Sequence, residues 1–157
     1  DRIAIFNLGH IQQTGIPSEI YFRPRNRFVA EFTGTSNLME VEVVAYDPDT
    51  SLLTGNLKGN RIVLRSASKP AERTVTILLR PEWIKIARDE KESSINLFCG
   101  QVVSSTFMGF MVKYQVKAFG DQMLALEVQD PQEHEIKKEG ESLYFRFNVD
   151  RPVVITS

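Results

Sequence analysis

The pattern of hydrophobic and polar positions divides the chain into a short helical beginning and a long remainder rich in strands. Residues 2–7 and 10–14 are strand-like runs, and Gly9 between them supplies the turn of a hairpin. Pro17, followed by an early acidic residue, suits the first turn of a short helix. Asn26 can cap a second short helix. We therefore predict a hairpin followed by two helices.

From residue 38 onward the pattern changes to short runs with period-two alternation and turn residues between them. Nine or ten short strands with such turns indicate a small β-barrel or a pair of barrels, and no internal repeat is apparent. The predicted strands are 38–44, 51–57, 61–65, 74–79, 84–86, 97–107, 110–118, 123–128, 143–149 and 153–155.

Composition and charge exclude several classes of function. The chain has 157 residues, 42% of them hydrophobic, and a net charge of −1. That charge gives no overall field to attract nucleic acid or an anionic membrane surface. A single cysteine excludes an intrachain disulfide framework and fits a reducing compartment. We expect Cys99 to be a small buried residue of a strand.

The residues themselves offer no catalytic constellation. The sequence has no phosphate-binding G-x-x-x-x-G-K-[ST] loop. Its two histidines, His10 and His134, are far apart, so we expect solvated side chains and no metal site. The arginines of residues 23–27 and the acids of residues 129–141 are expected to form solvated surfaces.

The first 37 residues resemble a segment of ABC transporter ATPases, in importers of the maltose, polyamine and ferric-iron type. The matching stretches are D-R-I-A-I at residues 1–5, I-Q-Q-T-G-I-P-S-E-I-Y-F-R-P at 11–24 and N-R-F-V-A-E-F-T-G-T-S-N at 26–37. Each piece alone is short, but their ordered succession is specific to that family.

Two later motifs resemble the C-terminal TOBE regulatory domain of the same family. They are L-R-P-E-W-I at residues 79–84, and G-Q-V-V, F-M-G and Y-Q-V at 100–103, 107–109 and 114–116. The resemblance implies a mainly β fold, an OB-like barrel preceded by a short N-terminal hairpin and linking helices. Trp83 departs from the family pattern, which has a small polar or acidic residue there.

The resemblance also implies a division of labour. Residues 1–36 would be the C-terminal remnant of a nucleotide-binding domain with its helical linker, and residues 37–157 the TOBE-type regulatory domain. The catalytic motifs of that family precede the first strand, so the chain is expected to be a fragment without enzymatic activity, catalytic residues, metal or cofactor. ATP and Mg²⁺ would be bound by the parent chain, which would form a homodimer.

The partners implied are the membrane permease subunits of an importer, without nucleic acid and without direct membrane insertion. The location implied is cytoplasmic, peripheral to the inner face of the cell membrane through those permeases. The barrel would serve dimerisation and regulation.

Six residues of the family motifs are candidates for a structural or an interface role. For Arg80, Pro81 and Glu82, a corner between strands is the favoured interpretation, with Glu82 accepting hydrogen bonds from a neighbouring turn. Around Gly109, Phe107 and its apolar neighbours either form an exposed contact patch at a hairpin tip or alternate into the core. The remaining candidate is Tyr114.

Two other functions compete with this interpretation. Related TOBE-type modules bind small oxyanions such as molybdate, and residues 104–106 (Ser-Ser-Thr) with Lys113 are candidates for such a site. A nucleic-acid-binding OB-type barrel is the third hypothesis, and the net charge argues against it.

Overall fold

The computed structural model describes residues 1–92 and 95–155, and it confirms the predicted N-terminal elements. Asn26 caps the second helix through its side-chain oxygen, which accepts a hydrogen bond of 3.0 Å from the backbone N–H of Val29. The elements are β1 (Ile3–Asn7), β2 (His10–Gly15), α1 (Pro17–Phe22) and α2 (Arg27–Phe32).

Ten strands follow, in close agreement with the predicted runs, although the strand predicted at 143–149 ends at Arg146. They are β3 (Asn37–Asp47), β4 (Leu52–Leu57), β5 (Asn60–Arg65), β6 (Thr74–Leu79), β7 (Lys85–Ala87), β8 (Leu97–Phe107), β9 (Met111–Ala118), β10 (Gln122–Gln129), β11 (Ser142–Arg146) and β12 (Val153–Ile155).

The strands form two five-stranded antiparallel sheets that share one plan, although no internal repeat is apparent in the sequence. Sheet I has the order β12-β6-β3-β4-β5, and sheet II has the order β7-β11-β8-β9-β10. Each is built around a long strand of 11 residues, β3 or β8. Each long strand has an irregularity in register near its middle. The repetition lies in strand order and pairing, which the side-chain pattern does not reveal.

The two sheets exchange their fifth strands. Strand β7 follows β6 along the chain but pairs with β11, and β12 follows β11 but pairs with β6. The connections at residues 80–84 and 147–152 therefore cross from one sheet to the other. A single hydrophobic cluster contains buried side chains of both sheets, including Leu79, Val102 and Phe145. This mainly β fold confirms the predicted fold class.

Two buried asparagines connect the two sheets. Each lies at the start of one sheet's long strand and bonds an edge strand of the other sheet. The amide of Asn37, at the start of β3, bonds the N–H and the C=O of Ala125 in β10, both at 2.8 Å. The amide of Asn96, just before β8, bonds the N–H and the C=O of Val63 in β5 at 2.8 and 2.7 Å. Each side chain thus supplies the pair of hydrogen bonds that a neighbouring strand would otherwise make.

Cys99 is exposed, which corrects the expectation that it is buried. Alternation along β8 directs the preceding residue, Phe98, towards the core. There the ring of Phe98 lies 4.8 Å from that of Phe119 and 5.9 Å from that of Phe145, between centroids. The apolar neighbours of the cysteine in sequence therefore did not indicate its own orientation.

Among residues 1–92 and 95–155, no helix has the length and apolar character needed to cross a lipid bilayer.

Candidate functional site

A fully buried arginine, Arg80, joins the N-terminal segment to the barrel. It follows β6 and precedes a short 3₁₀ turn over Pro81–Trp83, so its side chain leaves the sheet at one of the two crossings. Its guanidinium donates hydrogen bonds to the carbonyl oxygens of Ala30 (2.9 Å), Gly34 (3.0 Å), Thr35 (3.3 Å) and Tyr21 (3.3 Å), and to the hydroxyls of Thr33 (2.7 Å) and Ser36 (2.7 Å).

Every one of these acceptors belongs to α1, α2 or the turn after α2. One of them, the carbonyl of Ala30, lies in the last turn of α2, where C=O groups carry partial negative charge. The guanidinium carbon also lies 4.4 Å from the ring centroid of Tyr21. Burial lowers the pKa of Arg80, but an arginine in a protein keeps its charge. One positive charge therefore holds two helices against the barrel.

The next residues of the same turn extend this joint. The hydroxyl of Tyr21 donates a hydrogen bond to the carboxylate of Glu82. The ring of Trp83 lies nearly parallel to that of Phe22, at 13° and 6.0 Å between centroids. Desolvation by burial, followed by the bond to Glu82, raises the pKa of Tyr21 to about 12. We call the group formed by Arg80, Glu82, Tyr21 and the turn after α2 the linker joint.

The R-P-E motif lies in the turn between β6 and β7, and its structural or interface role stays a prediction. Pro81 is buried and begins the 3₁₀ turn, and Glu82 accepts from a helix side chain of the N-terminal segment. The acceptors of Arg80 could not be identified from the motif, because they lie 44–59 positions earlier in the chain. The only local signal was the succession of small polar residues after α2, Thr33–Ser36.

The hairpin tip between β8 and β9 is exposed and does not pack into the core. Phe107, Met108 and Phe110 are 61, 46 and 64% exposed, and Gly109 has a φ of +82°. The equivalent tip of sheet I, residues 47–51, is polar. The apolar character is therefore not required by the repeated plan, and its role as a contact stays a prediction.

Tyr114 is a core residue, 2% exposed, on β9. Its hydroxyl accepts a hydrogen bond of 3.1 Å from the backbone N–H of Lys137, which ties the acidic segment 129–141 to the sheet. Burial raises the pKa of Tyr114. The six motif residues thus separate into the joint, the exposed tip and the core.

The residues suggested for an oxyanion site do not form a cationic pocket. Lys113 faces Thr106 across β8 and β9, and its Nζ lies 3.5 Å from a carboxylate oxygen of Glu127. Ser104 and Thr106 are exposed on the sheet. The oxyanion hypothesis stays a prediction, which calorimetry with molybdate, tungstate and sulfate would test.

The raised pKa of Tyr21 predicts a specific alkaline transition. A folded-state pKa of about 12 against an ordinary 10.0 means that this group contributes stability below pH 10, and that the contribution is lost as the pH rises through 12. Tyr21→Phe should therefore flatten the fall in stability above pH 10. The tyrosinate absorbance of the wild type minus that of Tyr21→Phe should titrate near 12. A difference that titrates near 10 would show that Tyr21 is solvated and the joint open.

Comparison with known proteins identifies the family of this chain. The family model described as TOBE domain matches residues 77–155, from the end of β6 through β12. Spermidine/putrescine import ATP-binding protein PotA of Nitrosomonas eutropha is 31% identical over 157 residues, which cover 99% of this chain and 41% of that protein. Putrescine transport ATP-binding protein PotG of Escherichia coli is 30% identical over 158 residues, covering 99% and 42%.

The chain spans about a third to two-fifths of the length of the curated relatives it matches. The matching part is their C-terminal region. Among solved structures, the cytoplasmic molybdate-binding protein ModG superposes with a TM-score of 0.62 at 13% identity, covering 77% of this chain and 96% of that one. At that identity the likeness shows the fold alone. The two five-stranded sheets and the family model that matches residues 77–155 together establish that the chain belongs to the TOBE domain family.

Proposed function

We propose that this chain is the C-terminal regulatory and dimerisation part of the ATP-binding subunit of an ABC importer of the polyamine type. The linker joint carries the proposal, because a regulatory module must move together with the segment that leads to the domain it regulates. The similarity to PotA and PotG supports the transporter class, and their names suggest spermidine and putrescine as the transported substrates.

The N-terminal hairpin supports continuity with a nucleotide-binding domain. Ile5 is buried against Ile20 and Val29 of the two helices, whereas Phe6, Leu8 and Ile11 are exposed. A two-stranded hairpin with apolar residues on its surface is marginal in water by itself. In the proposed subunit this surface packs against the nucleotide-binding domain, which binds ATP and Mg²⁺.

Regulation then follows from the rigidity of the linker joint. A partner or a second subunit that favours one position of the barrel also favours one position of the helices, because the guanidinium of Arg80 holds both helices to the barrel. The hairpin follows the helices because Ile5 packs against Ile20 and Val29. The exposed tip of β8 and β9 is the surface that a second subunit would contact. The permease subunits bind the nucleotide-binding domain and hold the subunit at the inner face of the membrane.

The test compares the full-length protein with a version that ends at residue 36. We expect both to hydrolyse ATP, because the catalytic motifs lie outside this chain. We expect only the full-length protein to remain dimeric without nucleotide, as measured by analytical ultracentrifugation. The matched control is Arg27→Gln, which removes an exposed charge from α2 without touching the linker joint.

A shortened protein that dimerises as the full-length protein does, and drives transport at the same rate, would contradict the proposed role of the barrel. Loss of ATP hydrolysis in the shortened protein alone would place part of the catalytic machinery within residues 37–157.

A further inference from the structure

An open cleft of about 810 Å³ lies where α1, the segment after β5 and strand β12 meet. This volume is within the range of small-molecule sites in proteins. The cleft adjoins the linker joint, but none of the acceptors of Arg80 lines it. Its lining comes from Phe22 and Arg23, from the segment 65–72, from Trp83, and from residues 150–154.

One wall of the cleft is aromatic. The rings of Phe22 and Trp83 lie nearly parallel. Phe22 is 47% exposed, whereas Trp83 is buried. Arg151 adds a flat guanidinium group whose carbon lies 5.8 Å from the ring centroid of Trp83. A wall of this kind packs well against a planar ring.

Some charged side chains of the cleft form ion pairs within the chain and others do not. Arg65 forms an ion pair with Asp150 and donates 2.8 Å to the carbonyl oxygen of Thr50, so its charge is balanced. Arg23 and Arg151 make no ion pair within the described part of the chain, and both are exposed. Two arginines beside an aromatic wall are suited to a phosphate group, which guanidinium binds through paired N–H donors.

The remaining charged group is Glu72, an exposed carboxylate on the segment after β5. A carboxylate accepts hydrogen bonds only, so it repels phosphate but binds hydroxyl groups. The cleft therefore offers a surface for a flat ring, two cations for a phosphate and an acceptor for hydroxyls. These three features together match a nucleotide better than a bare anion or a polyamine.

We propose that this cleft binds a nucleoside monophosphate. The base packs against the wall of Phe22 and Trp83, the phosphate is bound by Arg23 and Arg151, and Glu72 accepts hydrogen bonds from the sugar hydroxyls. Because the lining comes from α1 and from the barrel, the ligand connects the N-terminal segment to β12. The site is independent of the proposed importer function.

Trp83 is the only tryptophan of the chain, so its fluorescence reports directly on the cleft. The experiment titrates the chain of residues 1–157 with AMP, with adenosine and with inorganic phosphate, and a parallel titration by calorimetry measures heat. We expect a saturable change with AMP, a dissociation constant at least about tenfold higher for adenosine, which lacks the charge-assisted bonds, and no saturation with phosphate.

Arg23→Gln and Arg151→Gln should each weaken AMP binding about tenfold, because each removes one charged partner of the phosphate. The matched control is Arg27→Gln, which removes the same charge from the exposed face of α2 and should leave binding unchanged. Absence of saturation with AMP in both measurements would overturn the proposal. So would equal binding of AMP and phosphate, or equal weakening by all three substitutions.

Discussion

Arg80→Ala is expected to lower the free energy of unfolding by about 3–5 kcal/mol, the largest effect of any single substitution considered for this chain. The substitution empties a fully buried position and removes the guanidinium donor from the carbonyls of Tyr21 and Thr35 and from the hydroxyls of Thr33 and Ser36. Each buried polar group left unpaired has its own desolvation cost. The stacking of the guanidinium on Tyr21 is lost as well.

Urea unfolding measures the total effect, and hydrogen exchange locates it. We expect the backbone amides of residues 27–36 to lose protection while the amides of β8 and β9 keep it, because the substitution releases the helices before the sheets open. Arg80→Lys should recover part of the stability, since an ammonium retains the charge but not the planar set of donors.

The matched control for Arg80 is Arg73→Ala. Arg73 bonds Glu42 at 2.6 Å, but its side chain is 85% exposed, so its loss should change stability by less than about 1 kcal/mol. If Arg80→Ala were as mild as Arg73→Ala, the linker joint would not hold the N-terminal segment to the barrel.

The second large effect is expected at the asparagines that join the two sheets. Asn96→Ala should lower the free energy of unfolding by about 2–4 kcal/mol, because it removes both partners of the backbone groups of Val63 inside a buried contact. Asn37→Ala should have a smaller effect, since its bonds to Ala125 are only partly buried and water can replace them.

Backbone conformation separates two contributions at Asn96. Its φ is +61°, a region that asparagine and glycine tolerate better than alanine. Asn96→Gly keeps that conformation accessible and removes only the side-chain bonds, so the difference between the two variants measures backbone strain. If Asn96→Gly unfolded at the same urea concentration as the wild type, the asparagine bonds would not stabilise the contact between the sheets.

The sequence predicted local structure well because its signals are local. The cap at Asn26, the proline at position 17 and the β-branched run at 74–79 each act within a few residues, and each element appears where predicted. The exchange of β7 and β12 between sheets depends on pairing across more than 50 residues, which alternation of side chains does not specify.

The functional features divide in the same way. The R-P-E motif located the turn at Arg80, but its partners in the N-terminal segment are distant in sequence and became apparent only in the structure. The expected burial of Cys99 is wrong because residues 98–102 of β8 alternate between the two faces of the sheet, which places Cys99 on the exposed face. The cleft beside Trp83 draws on four separate segments and has no sequence signature.

We proposed that the full-length protein is the ATP-binding subunit of a polyamine importer. The most direct test measures ATP-dependent uptake of labelled putrescine and spermidine by cells that lack the gene, with and without its restoration. We expect that deletion abolishes uptake of at least one of these polyamines and that the intact gene restores it. Unchanged uptake of both polyamines after deletion, in cells with no second importer for them, would contradict it.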